Sequence, residues 1–222
     1  MKVAVVYTST TPELVEMVSS GLRARFAGKE LTVREYQDPS ILQEARDNGG
    51  VTPGCVRRLV GLYQQAAGDG ADILLNACSS VGAPAKLAKP LYEMMGLKFV
   101  RIDEDMACAA VRDAGRIGVI ATLPTTLEPT KALLRDCAAA QGKEIVLVDA
   151  LADGAFGLDQ EAFKQKLIET GAAVREQVDV LLLAQGSMAY AEQAISDALG
   201  LPVYSSVRFG TAAVRAAADD IS

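Results

Sequence analysis

One cysteine stands where chemistry is easy to arrange. In Asp72-Ile-Leu-Leu-Asn-Ala-Cys78-Ser79-Ser80-Val-Gly82, an apolar run suited to a buried strand stops at a thiol, two hydroxyls and a glycine. A helix is expected to begin there, and unpaired N–H groups at a helix start can lower a thiol pKa from its usual ~8.5 and supply thiolate. The competing reading is a cysteine that only packs. The chain has no histidine, which excludes His-based triads, His-ligated metals and an imidazole base. Acid–base work falls to cysteine, a carboxylate, lysine or tyrosine.

The pattern occurs twice. Asp179-Val-Leu-Leu-Leu-Ala-Gln185-Gly186-Ser187-Met-Ala189 lines up with the first stretch without a gap and sets Gln185 where Cys78 stands. Val3-Ala-Val-Val-Tyr-Thr8 likewise echoes Ile117-Gly-Val-Ile-Ala-Thr122, and the segment 96–111 echoes 200–214. Three echoes in the same order argue for an internal duplication. A carboxamide cannot give or take a proton near neutral pH, so Gln185 is read as a hydrogen-bonding partner, for the ligand or for nearby backbone.

The elements that must position these residues are strands buried on both faces. Short continuous apolar runs recur at KVAVVYT, LTVREY, DILLNAC, KFVRID, RIGVIAT, EIVLVDA, DVLLLAQ and LPVYSS, separated by stretches of helical spacing. This predicts an α/β protein with parallel sheets, organised as two similar Rossmann-like halves. We place the first half at 1–96 plus 206–222 and the second at 97–205, related by a pseudo-twofold with the site in the cleft between them. Ligands of open α/β sheets sit beyond the carboxyl ends of the strands. Four loops should therefore form the site: Thr8-Ser9-Thr10-Thr11, Cys78-Ser79-Ser80, Thr122-Leu-Pro-Thr125-Thr126 and Gln185-Gly186-Ser187. They are rich in hydroxyls and open helices, which suits a small carboxylate. They lack a Gly-rich phosphate loop with its lysine, which counts against phosphate and dinucleotide ligands.

Composition narrows the partners. Lys and Arg total 22 against 28 Asp and Glu, a net charge of −6 with no basic block, so nucleic acid and anionic membrane are not expected as partners. No segment approaches a membrane span or a signal h-region, and a cytoplasmic protein is expected. Cys55, Cys78, Cys108 and Cys137 show no CxxC spacing; they are expected as reduced thiols, without a disulfide or metal site. Cys55, Cys108 and Cys137 are read as packing residues. Among the carboxylates of 34–50 and 101–115, solvated or capping roles are expected, with Asp38 and Glu104 the exceptions to watch. A homodimer is the default assembly.

Taken together, DILLNACSSVG, GRIGVIATLPTTLEPT and DVLLLAQGSMA resemble the aspartate/glutamate/hydantoin racemase superfamily over nearly the whole chain. The resemblance implies two α/β domains, no cofactor, and chemistry at the carbon α to a carboxylate. In that superfamily, which includes maleate isomerase and arylmalonate decarboxylase, the racemases use one cysteine per half on opposite faces of that carbon. It further implies that Cys78 is the first-half cysteine, that Ser79 and Ser80 bind carboxylate, and that Thr8, Ser9 and Thr10, with Thr122 and Thr125 opposite, line the site. The second cysteine is replaced by Gln185, followed by Gly186 and Ser187. Three chemistries stay open: Cys78 as a single acid or base, as in decarboxylation; Cys78 as a nucleophile with Gln185 and Ser187 holding an oxyanion; or a second base such as Tyr7 or a carboxylate. A binding module that lost catalysis is the non-enzymatic alternative.

Overall fold

The eight apolar runs are eight parallel strands in the computed structural model, which describes residues 1–155 and 157–221; Phe156 and Ser222, each inside one of the expected halves, lie outside the described residues. In the first sheet β1 (Lys2–Tyr7) pairs with β2 (Thr32–Gln37) and with β3 (Ile73–Asn76), and β3 pairs with β4 (Lys98–Arg101). In the second, β5 (Arg116–Ala121) pairs with β6 (Val146–Leu151) and β7 (Val180–Leu183), and β7 with β8 (Val203–Ser205). The strand orders are thus β2-β1-β3-β4 and β6-β5-β7-β8. Central strands have no exposed face: every residue of β3 and β7 is buried, as is β1 after Lys2. The edge strand β2 instead exposes Thr32, Arg34, Glu35 and Gln37.

The chain divides into two units, Met1–Asp103 with Val207 onward, and Glu104–Ser206. The boundary drawn at 96/97 from sequence falls before β4, whereas β4 completes the first sheet by pairing with β3 and the division comes after Asp103. The physical reason is that Lys98–Arg101 finds its backbone partners on β3 before the chain leaves.

Helix starts are built from caps. Thr11 accepts a hydrogen bond from the Leu14 N–H at 3.2 Å and Pro12 opens α1 (Pro12–Arg25), whose Leu14, Val18 and Leu22 are buried at four-residue spacing. Asp38 caps α2 (Pro39–Asp47) through the Ser40 N–H at 3.0 Å, so this carboxylate has a capping role rather than a reactive one. Thr52 caps α3 (Pro53–Gly68). The face of α3 that carries Cys55, Leu59, Tyr63 and Ala66 packs with α4 (Gly82–Met94) and β4 around Tyr63, Tyr92 and Phe99; the Tyr63 and Phe99 rings meet edge to face at 5.1 Å.

The second unit holds α5 (Glu104–Asp113), α6 (Pro124–Gln141), α7 (Gln160–Val174) and α8 (Glu192–Leu199); Gly200, at φ 63°, ends α8 in the left-handed conformation that glycine adopts freely. Glu104 lies in the first turn of α5, where a negative charge favours the helix start. Cys108 of α5 and Cys137 of α6 form a disulfide, with 5.1 Å between their Cα atoms, which corrects the expectation of four free thiols. Cys55 is free and buried, its thiol directed at the Ile41 carbonyl. The last helix, α9 (Ser206–Asp219), returns to the first unit. There Gly210 lies so close to Ile102 that a Cβ would meet its backbone at 2.8 Å, and Thr211 accepts a hydrogen bond from the Arg25 side chain at 3.1 Å.

Candidate active site

Both sheets reverse their winding between the first and third strands, so the loops after β1 and β3, and after β5 and β7, lie side by side. In the first unit the N–H of Ala77 still reaches the Val6 carbonyl at 2.9 Å, after which the chain turns at Cys78 into a single 3₁₀ turn, Ser79–Val81, that runs into α4. Thr8, fully buried just past β1, donates from Oγ1 to the Cys78 Sγ at 2.7 Å. The backbone N–H groups of Ser80 and Val81 also point at the sulfur. A thiolate at this position would find one hydroxyl and two amides around it.

The resting thiol is nevertheless pushed above the usual cysteine range. Burial is the main cause and the nearby Asp103 carboxylate adds to it, while the hydrogen bonds from Thr8, Ser80 and Val81 pull the other way. This departs from the expectation that the helix start lowers the value: around the partly buried Cys78, loss of hydration outweighs the three donors. That shift favours the protonated thiol over the thiolate.

A buried polar frame supports the thiol loop. The Tyr63 hydroxyl donates to Asn76 Oδ1 at 2.8 Å, and Asn76 Nδ2 donates to the Cys78 carbonyl at 3.0 Å. Arg101 and Asp103, 4% and 2% exposed, form a two-pronged ion pair at 3.2 and 3.1 Å. The Arg101 guanidinium packs so closely on the start of α4 that a Cβ on Gly82 would come within 2.5 Å of it, which explains the glycine there. None of Tyr63, Asn76, Arg101 and Asp103 was read as part of the site from sequence. The available signal was a polar residue closing an otherwise apolar strand: Asn76 in ILLN and Arg101 in KFVR.

In the second unit the same geometry holds an amide. The N–H of Ala184 reaches the Ile120 carbonyl at 2.9 Å, and Gln185 follows at the place that Cys78 has in the first unit. Its Oε1 accepts from both the backbone N–H and the hydroxyl of Thr122, each at 2.9 Å. A backbone N–H can only donate, so it fixes which end of the amide faces Thr122 and leaves the Nε2 donors turned the other way.

The remaining sequence candidates fall around these two pairs. Ser9 and Thr10 are half-buried beyond Thr8, and Thr10 donates to the Gln37 side chain at 3.3 Å. Ser79 is nearly buried and its hydroxyl has no partner within the protein; Thr125, in the first turn of α6, likewise has a buried, unpartnered Oγ1. Such groups are completed by a ligand or water. Gly186 and Ser187 are half-buried at the start of the 3₁₀ helix that follows Gln185. Tyr7 is fully buried in β1 with no partner for its hydroxyl, and burial with the Glu35 charge drives that hydroxyl far above the phenol range. Among the described residues no cluster of three His, Cys, Asp or Glu side chains could hold a metal ion, and no helix is long and apolar enough to cross a membrane.

Comparison with known proteins follows the same lines. The sequence profile of the Asp/Glu/Hydantoin racemase family matches residues 3–216. Among solved structures, allantoin racemase from Klebsiella pneumoniae is 20% identical with a TM-score of 0.70, the match covering 99% of this chain and 88% of that one. Glutamate racemase isoform RacE1 from Bacillus anthracis is 15% identical at a TM-score of 0.74, with 99% and 82% covered. The maleate isomerase Iso from Pseudomonas putida S16 is 15% identical at 0.65, with 99% and 93% covered. At these identities the likeness is one of fold. No curated protein sequence matches the chain.

Proposed function

Because the chain belongs to the Asp/Glu/hydantoin racemase family, we propose that it is a cofactor-independent enzyme of the isomerase or racemase type, acting at the carbon α to a carboxylate of a small acid or amino acid. Cys78 is the group that exchanges the proton. The observation that carries this reading is the hydrogen bond from the buried Thr8 hydroxyl to the Cys78 sulfur at 2.7 Å, with the Ser80 and Val81 amides beside it.

The chemistry runs as follows. The Cys78 thiol protonates the carbon of an enediolate-like intermediate, and the sulfur left behind is a thiolate. Thr8 and the two amides stabilise that anion when it forms, which makes them worth more after proton transfer than before it. In the other direction the same thiolate removes the α-proton. The unpartnered hydroxyl of Ser79, next to Cys78 in the chain, can meet a carboxylate or enediolate oxygen without carrying a proton in the reaction. Proton exchange therefore runs through one thiol, and inversion by two thiols is not the mechanism.

The test is deuterium exchange. A panel of small carboxylic and amino acids incubated in heavy water should show loss of the α-hydrogen signal for at least one member, and Cys78→Ala should abolish it. Exchange that survives that substitution removes Cys78 from the mechanism. A second reading, favoured by Gln185 in place of a thiol and by the protonated resting state of Cys78, is decarboxylation of a malonate-like diacid, in which one face of the carbanion is protonated. Carbon dioxide release identifies it. Binding of a carboxylate with neither exchange nor carbon dioxide release would make the chain a binding module.

A further inference from the structure

Cys78 lies just past the ladder of β3, whose last bond runs from the Ala77 N–H to the Val6 carbonyl. Asn76, two residues earlier, is still fixed on both sides. It pairs in register with Val6 of β1 and Arg101 of β4, and its carbonyl accepts from the Ile102 N–H at 3.0 Å. From that anchor its fully buried side chain reaches forward, and Nδ2 donates to the Cys78 carbonyl at 3.0 Å. A carbonyl can only accept, so this bond fixes which end of the amide faces Cys78 and leaves Oδ1 to the Tyr63 hydroxyl, which donates at 2.8 Å. The Tyr63 ring is itself held edge to face by Tyr92 and Phe99, at 5.8 and 5.1 Å between centroids. Burial drives its hydroxyl far above the phenol range, so it stays a donor.

The bonded carbonyl belongs to the peptide that leads into the 3₁₀ turn Ser79–Val81, which closes through the Gly82 N–H on the Ser79 carbonyl. The tilt of that peptide decides where the next amides aim, and those of Ser80 and Val81 aim at the Cys78 sulfur. In the second unit Leu183 ends β7 in the register place of Asn76, and the residue two further on is Gln185, which has no titratable atom to serve.

We propose that Asn76 is a positioning residue for the Cys78 thiol: by holding the Cys78 carbonyl it sets the turn so that the Ser80 and Val81 amides meet the sulfur, with Tyr63 fixing its own amide. The use of this thiol in proton transfer rests on the function proposed above. The alignment itself is read on the sulfur, without a substrate.

The test is the rate of Cys78 alkylation by iodoacetamide against pH, followed by mass spectrometry of the Cys78 peptide in the full chain. Amides that meet a thiolate lower its pKa, so losing their alignment raises the midpoint. Asn76→Leu should raise it by about one pH unit and Tyr63→Phe by about half of that. Because Tyr63 acts only through Asn76, adding Tyr63→Phe to Asn76→Leu should move it no further. The double variant replaces both partners of the bond by apolar groups and leaves neither orphaned, so it keeps the test if Asn76→Leu alone fails to fold. Neither substitution touches the other titratable group near the sulfur, Asp103, which stays paired to Arg101. Tyr92→Phe, which trims the same aromatic cluster at another hydroxyl, should leave the midpoint at the wild-type value. An unchanged midpoint in Asn76→Leu and in the double variant overturns the proposal, as does an equal rise in Tyr92→Phe. Where α-hydrogen exchange is found, Asn76→Leu should lower kcat about tenfold with KM within about twofold. Midpoints that move as expected, with exchange that survives Cys78→Ala, keep Asn76 in its role and remove only the proton transfer assigned to Cys78.

Discussion

The two loops that follow β3 and β7 share a backbone and differ in what stands behind them. Behind Cys78, Asn76 ends β3 and pairs in register with Arg101, itself locked to Asp103. At the corresponding register of the second unit, Leu183 ends β7 and pairs with Ser205. The first unit carries a buried, charged frame under a titratable atom, and the second an apolar strand end under a neutral amide. The buried ion pair thus accompanies the half that holds the thiol. The second unit is tied instead by a covalent link between α5 and α6.

The sharpest way to break this comparison is to exchange chemistry between the halves. Cys78→Ala should lower α-hydrogen exchange by about 10³-fold or more, whereas Gln185→Ala should lower it about tenfold, chiefly through KM, as followed by NMR in heavy water. Equal losses would mean that the halves share the proton work. Next, Asp103→Asn leaves a buried guanidinium without its counter-charge and should cost about 3–5 kcal/mol in urea unfolding. The counterpart change Ser205→Ala removes one hydrogen bond, donated to Glu192, and should cost about 1 kcal/mol. Reducing the Cys108–Cys137 link, which closes a separation of 29 residues, should destabilise the second unit by about 3 kcal/mol, seen as a reductant-dependent fall in the denaturation midpoint.

The subtlest contrast is in titration. Cys78 is held above the usual cysteine value, so its alkylation rate should rise with a midpoint above ~8.5. Thr8→Val should move that midpoint higher still, because the hydroxyl favours the thiolate; Thr122→Val should leave it in place. Since the raised pKa belongs to the folded state, the unfolded chain loses this proton first. The stability tied to the protonated thiol is fully present below ~8.5 and is lost as pH rises from there through the folded-state value. The proton donation proposed for Cys78 should fade over the upper end of the same window.

Much of this was legible in the chain. A strand buried on both faces has to be apolar for most of its length, so Val3–Tyr7 and Ile73–Leu75 announced themselves, and the thiol and hydroxyls just past Ala77 stood out against them. The boundary between the units was less legible, because Lys98–Arg101 looks the same on either sheet and only backbone pairing assigns it. Arg101 and Asp103 escaped notice for a related reason: a charge at a strand end is normally solvated, and burial depends on elements that arrive from elsewhere, here the start of α4. Asp38, a carboxylate before Pro39, carried a capping signature that outweighs any reactive one. The disulfide left no spacing motif, since its two cysteines meet by helix packing.

The return of α9 has a consequence in time. The second unit is one uninterrupted stretch, Glu104–Ser206, so it can finish folding during synthesis as soon as it clears the ribosome. The first unit is begun earlier and completed later, since Gly210 and Thr211 must still dock against Ile102 and Arg25. The half that holds the thiol is thus the last to close, and Cys78 reaches its final surroundings only after the second unit has been secured.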